Sequence, residues 1–383
     1  MPADSSTWPA SGAWQPGDPL GNRRLVELGV NLGLEAGGQL GGAAPITMAY
    51  EAWGELNADA SNAVLVLHAL TGDSHAAGEA GAGHPTPGWW RGIVGPGLAV
   101  DTNRFFVVAP NVLGGCQGSQ GPSSTSPDGR PFGSRFPVLT PRDQVTAEAF
   151  LADALGIERF AAVIGGSMGG MRALEWAISY PQRVGRLGVL SCGAVASAEQ
   201  IALCSTQIAA ITSSEGFAGG DYYDRAPGEG PGEAMGVARR LGHISYRTAE
   251  ELGQRFGNDA QGSEDPLRGG RFAVESYLEH HAAKLAQRFD ANSYVVLSRS
   301  MNLHDVGRGR GGVASALGSI TAPTVVVGFS TDRLYPLSEQ VALAKAIPTA
   351  DEVVTVRSPF GHDAFLLEDG PVGTALGRLL ADA

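Results

Sequence analysis

Ser167 lies in Val163-Ile164-Gly165-Gly166-Ser167-Met168-Gly169-Gly170, an apolar strand pattern that ends on a G-x-S-x-G turn. The chain then enters a helical run through Met171, Ala173, Leu174, Trp176 and Ala177. A serine hydroxyl is a poor nucleophile near neutral pH, so chemistry here needs a base beside it and a group that orients the base. Glycines at 165 and 169 remove the Cβ atoms that would collide where strand and helix converge, which lets Ser167 adopt a strained backbone and lift its hydroxyl off the sheet. The partners follow in chain order: Asp332 after the apolar run Thr324–Phe329, and His362 after the run 353–356. His362 would take the Ser167 proton and return it to a leaving group, while Asp332 would hold the imidazole tautomer and stabilise the imidazolium. The backbone N–H of Met168 and that of Leu70 are the expected oxyanion donors.

Such a trio needs a sheet whose strands deliver their loops to one edge. Strand-like runs occur at 46–53, 63–70, 105–110 and 186–191, with a helix opening at the Thr140 cap and Pro141. The run 63–70, Ala-Val-Leu-Val-Leu-His-Ala-Leu, is apolar on both faces, as in a covered parallel sheet. From 196 to 313 the alternation stops. Helical patterns take over at 233–241, 249–256 and 274–289, after a capping-box start at Ser197 and Gln200. The glycine-arginine run 307–312 reads as a flexible hinge or turn, and a closing helix is expected over 364–380. The order Ser, Asp, His at strand ends is that of an α/β-hydrolase sheet. The expected fold is therefore α/β, with a mostly parallel central sheet: an α/β-hydrolase core over 1–195 and 314–383, carrying a helical lid over 196–313.

Composition narrows the function. The 383 residues are 43% hydrophobic and 17% charged, and the formal net charge is −12. That charge argues against general binding to nucleic acid or anionic membrane surfaces, so any anionic substrate must meet local cations. Lys284 and Lys345 are the only lysines. Three cysteines, Cys116, Cys192 and Cys204, lack metal-ligand spacing and suit neither a disulfide framework nor a zinc site. Neither a secretory signal nor an apolar stretch of about 20 residues is evident, so a cytoplasmic protein is expected.

Several stretches together resemble the homoserine O-acetyltransferases, an acyltransferase branch of the α/β-hydrolase fold. They are Leu67-His68-Ala69-Leu70-Thr71-Gly72-Asp73, Asn111-Val112-Leu113-Gly114-Gly115-Cys116, the turn at Ser167, Val274-Glu275-Ser276-Tyr277-Leu278, Arg288-Phe289-Asp290-Ala291-Asn292-Ser293-Tyr294 and Gly361-His362-Asp363. The resemblance implies a ping-pong reaction in which Ser167 takes acetyl from acetyl-CoA and passes it to the hydroxyl of L-homoserine, giving O-acetyl-L-homoserine for methionine synthesis. It also implies Arg239 for the amino-acid carboxylate, Asp363 for its ammonium, and a homodimer packed through the lids. Acetyl-CoA is a cosubstrate, with no bound cofactor or metal; Arg225, Arg308 and Arg310 are candidates for its phosphates. Transfer of succinyl, serine as acceptor, a plain ester hydrolase and a binding protein without turnover remain the alternatives.

Overall fold

The computed structural model describes residues 5–42 and 44–381. Eight strands form the main sheet: β1 (Arg24–Leu28), β2 (Ile46–Trp53), β3 (Ala63–Leu67), β4 (Phe106–Pro110), β5 (Ala162–Gly166), β6 (Leu187–Leu190), β7 (Thr324–Phe329) and β8 (Val354–Val356). Their spatial order is β1-β2-β4-β3-β5-β6-β7-β8. The pairs β1/β2 and β2/β4 are antiparallel, and the rest of the sheet is parallel. Strands β3, β5 and β6 are buried at every position, which explains their unbroken apolar sequences. Period-two alternation sends Leu65, Leu67 and Val163 to one core and Val64, Val66, Ala162 and Ile164 to the other.

Helices α1 (Pro141–Ala154) and α2 (Met168–Ser179) follow β4 and β5. Thr140 and Asp143 form the capping box of α1: Thr140 N–H donates to Asp143 Oδ2 at 2.8 Å, and Asp143 N–H donates back to Thr140 Oγ1. After β6 come α3 (Ala198–Thr212), α4 (Gly232–Tyr246), α5 (Ala249–Phe256), α6 (Ala273–Ala286) and α7 (Ala291–Asn302). The helix expected to reach Phe289 therefore stops at Ala286, and a second one, α7, starts at the Asp290 cap. Short α8 (Val313–Gly318) and then α9 (Leu337–Ala346) flank β7. The expected closing helix is two, α10 (Ala364–Leu367) and α11 (Asp369–Leu380), separated at Glu368 by a non-helical backbone (φ −94°, ψ 59°).

The insertion leaves and rejoins the core through adjacent strands of chain. Ala196 N–H donates to His304 O, and Val306 N–H donates to Ala194 O, each at 3.0 Å. The turn after it is pinned rather than flexible: Arg308 pairs with Glu35 and Arg310 with Glu175. The N-terminal arm is irregular, as expected, yet Trp8 and Ala13 are buried, with Trp8 packed over Gly232 and Gly236 of α4. Among the described residues no helix is long and apolar enough to cross a membrane.

One buried ion pair links these elements. Arg172 of α2 and Glu148 of α1 have no solvent access; the guanidinium donates to Glu148 and to the carbonyl of His68, and Trp176 Nε1–H donates to Glu148 Oε2. Removing one member of such a pair strands the other charge in the core. Arg172→Ala should lower unfolding free energy by about 3–5 kcal/mol, read as a shift in the urea midpoint.

Candidate active site

Ser167 occupies the step from β5 into α2 with φ 56° and ψ −125°, outside the range ordinary residues favour. The close packing around it dictates the flanking glycines. A Cβ on Gly165 would lie 2.2 Å from the Gly169 carbonyl oxygen, and one on Gly169 would lie 2.0 Å from the Leu67 carbonyl oxygen. The second approach brings the loop after β3, which carries Leu70, over the first turn of α2, which carries Met168. Neither the Leu70 nor the Met168 backbone N–H has a hydrogen-bond partner among the described residues.

The loops after β7 and β8 bring the other two groups to the serine. His362 Nε2 lies 2.9 Å from Ser167 Oγ, and His362 Nδ1 lies 2.8 Å from Asp332 Oδ2. Asp332 Oδ1 accepts the N–H groups of Leu334 (3.0 Å) and Tyr335 (2.9 Å), which hold the carboxylate in one orientation. Thr331 locks the two loops together, donating its hydroxyl to the Ser358 carbonyl and accepting the Gly361 N–H. Tyr335 stacks on the imidazole with ring centroids 5.0 Å apart. Ser167, Asp332 and His362 are only 4%, 5% and 4% exposed, so a substrate must enter under the cover of α3–α7.

The loop after β3 is held from behind. His68 Nδ1–H donates to Ala69 O at 2.8 Å, and Nε2 accepts Val112 N–H at 3.0 Å. Burial, reinforced by the Arg172 charge, pushes the His68 pKa down to about 3, so the ring stays neutral and its tautomer is fixed. On the cover side, Arg239 Nη1 donates to Thr71 Oγ1 at 3.2 Å, and Arg288 Nη2 donates to the Thr71 carbonyl at 2.6 Å. The Arg239 Nε atom is buried with no partner among the described residues. Asp363 sits beside the histidine, with Oδ2 3.4 Å from Arg247 Nη1; Arg247 also forks onto Glu251.

The structure thus brings together Ser167, Asp332, His362, Leu70, Met168, Arg239 and Asp363. It separates two others: Arg308 and Arg310 are spent on Glu35 and Glu175, which removes them as candidates for binding CoA phosphates. Arg225 donates to the Glu229 carbonyl in an exposed turn. Sequence reasoning missed Arg172, Arg247 and Arg288. The Arg247–Glu251 spacing of four carried a local signal, and Arg288 heads one of the stretches that carry the family resemblance, although no role was read for it. It also missed a buried cluster behind the loop, where Glu51, His75 and His84 hold metal-ligand-type atoms within 4.8 Å of one another. All three are engaged within the protein: Glu51 accepts from Ser74 and His75, and His84 Nε2 accepts the Asn22 N–H.

The family description "alpha/beta hydrolase fold" matches residues 62–369. A homoserine O-acetyltransferase of Thermobifida fusca (strain YX) is 63% identical, the match covering 97% of this chain and 97% of that protein. Among solved structures, esterase E22 superposes with a TM-score of 0.83 at 29% identity, covering 94% of this chain and 99% of its own. Homoserine O-acetyltransferase from Bacillus anthracis gives a TM-score of 0.83 at 26% identity, covering 94% and 97%. With the eight-stranded sheet and near-full-length identity in agreement, the chain belongs to the homoserine O-acetyltransferase family of the alpha/beta hydrolase fold.

Proposed function

We propose that this protein transfers acetyl from acetyl-CoA to the hydroxyl of L-homoserine, giving O-acetyl-L-homoserine for methionine biosynthesis. The observation that carries the reading is the hydrogen-bonded chain Ser167–His362–Asp332 closed beneath a cover that presents Arg239 to the same loop as Leu70. Ser167 Oγ attacks the thioester carbonyl as its proton passes to His362 Nε2. The Leu70 and Met168 N–H groups receive the negative oxygen, and collapse expels the CoA thiolate, which takes the proton from His362. The homoserine hydroxyl then gives its proton to His362 and attacks the acetyl-serine. Collapse of this second intermediate returns the proton to Ser167. Asp332 accepts the Nδ1–H throughout and stabilises the imidazolium.

Arg239 suits the amino-acid carboxylate, because a guanidinium can grip two oxygens with parallel hydrogen bonds. Asp363 suits the ammonium. Ester hydrolysis is the second reading, favoured by the likeness to esterase E22. The near-complete burial of Ser167 limits water and supports transfer over hydrolysis. A homodimer joined through the cover is part of the proposal. Ile201 of α3, with Val237 and Ile244 of α4, leaves an apolar stripe exposed there.

Three outcomes are expected. Ser167→Ala should lose at least about 10⁴-fold in kcat and all release of CoA thiol from acetyl-CoA, whereas the intact protein should turn over steadily only with homoserine; equal release without homoserine would mean a hydrolase. Arg239→Ala should raise the KM for homoserine about 10- to 100-fold while leaving the first, homoserine-independent release of CoA in place. Ile244→Glu should shift the sedimenting species from dimer to monomer, and an unchanged mass would remove this stripe as the contact.

A further inference from the structure

Cations in this acidic protein concentrate on two packed helices. Arg239 and His243 of α4, with Arg247 just beyond its end, recur every four residues, as do His280 and Lys284 of α6 with Arg288 just beyond it; burial keeps the His243 ring uncharged. Residues four apart share one helix face, so each helix presents a basic ladder. The two helices lie against each other beside these residues: the His243 and His281 rings stack with centroids 4.0 Å apart, and His281 meets His280 edge-on. The inner rungs reach the reaction loop, since Arg239 and Arg288 both bond Thr71. Eight residues of helical rise place His280 about 12 Å further out than Arg288.

The inner and outer rungs differ in their partners. Arg247 is neutralised by Glu251 and Asp363, and Arg288 faces Asp73. Lys284 has no carboxylate, hydrogen-bond or ring partner among the described residues, although every other cation at the inner end has at least one such contact. Partial burial, with repulsion from Arg288 and Arg239, lowers the Lys284 pKa. Burial, with Arg239, His280 and Lys284, pushes His281 down to about 3, so this ring waits uncharged among cations. Of these rungs, Lys284 and Arg239 are thus the lysine and arginine without a carboxylate partner among the described residues, and a multiply charged anion beside Lys284 would relieve the repulsion between them.

We propose that Lys284, with His280 and His281, is where the phosphates of the CoA donor dock, leaving Arg239 at the inner end for the acceptor's carboxylate. This rests on the acetyl-transfer reading above. It gives the donor's anionic end a place outside the buried pocket and its thioester a path inward along α6 to Thr71, whose neighbour Leu70 supplies an oxyanion donor. Lys284 then acts in donor recognition and takes no part in bond making.

The test compares acetyl-CoA with S-acetylpantetheine, which carries the same thioester without phosphates, in the full-length protein and in Lys284→Ala, Lys284→Glu and Lys284→Arg. Lys284 is exposed, so these variants should fold normally. Loss of one charge-assisted phosphate contact should raise the KM for acetyl-CoA about tenfold in Lys284→Ala and further in Lys284→Glu, with kcat and the KM for homoserine unchanged. The KM for S-acetylpantetheine should stay the same, Lys284→Arg should restore the acetyl-CoA value, and 3′,5′-ADP should lose inhibitory strength in parallel. An unchanged acetyl-CoA KM, or an equal rise for both donors, would overturn the docking site while leaving acetyl transfer standing. Failure of the unaltered protein to transfer acetyl from acetyl-CoA would overturn the reading of the site itself, and this assignment with it.

Discussion

The backbone of Ser167 is held where a side chain crowds its own peptide, and the surrounding core must supply what that conformation costs, about 1–3 kcal/mol. Its N–H is tied to the Leu190 carbonyl of β6 at 3.0 Å, and α2 starts at the very next residue, so strand and helix clamp it from both sides. The strain points the hydroxyl out of the sheet. It also sets how closely the loop after β3 can approach, because only glycine at 169 lets the Leu67 carbonyl pass. Geometry at one residue thus fixes both the nucleophile and the amides that face it.

Behind this lies a division of electrostatic labour. Arg172 and Glu148 are structural: fully buried, mutually paired, and linked to the His68 carbonyl. Arg239 differs in having no carboxylate partner among the described residues; its hydrogen bond goes to the neutral Thr71 hydroxyl. An ion pair completed inside the fold rigidifies; a cation left partly unpaired at a site mouth is available to a ligand. Asp290 is a buried carboxylate of the cover satisfied without a cation, accepting from the Ser11, Tyr222 and Tyr223 hydroxyls and the Ser293 N–H while burial raises its pKa.

The sheet and the Ser-Asp-His order were legible because they are written locally: apolar runs ending in turn residues, with each chemical group one loop beyond a strand. Helix α7 was not legible, since Ser293, Ser298 and Ser300 are buried beside Tyr294 and Leu297, and the polar-apolar contrast that reveals a helix is absent. The break at Glu368 did carry a local signal that the expectation of one helix passed over: Pro371 has no N–H to give the Leu367 carbonyl, where α10 ends, and it suits the first turn of α11 instead. Arg247 next to Asp363 joins residues 116 apart, and the Glu51–His75–His84 cluster likewise forms only when β2 and the loop after β3 pack together. Contacts of this kind carry no periodic signature.

The neck of the inserted segment has an evolutionary consequence. Because the chain departs at Ala194–Ala196 and returns at His304–Val306 side by side, the whole intervening stretch is topologically a loop closed at its base. Replacing it would leave the strand order intact, and the entropy of closing a loop grows only slowly with its length; a new cover would have to brace the loops of His362 and Asp332 as Thr248 and Gln200 do here. The core can therefore exchange covers as cassettes. A transferase and a hydrolase can share one catalytic sheet and diverge in what the cover admits, water or an alcohol.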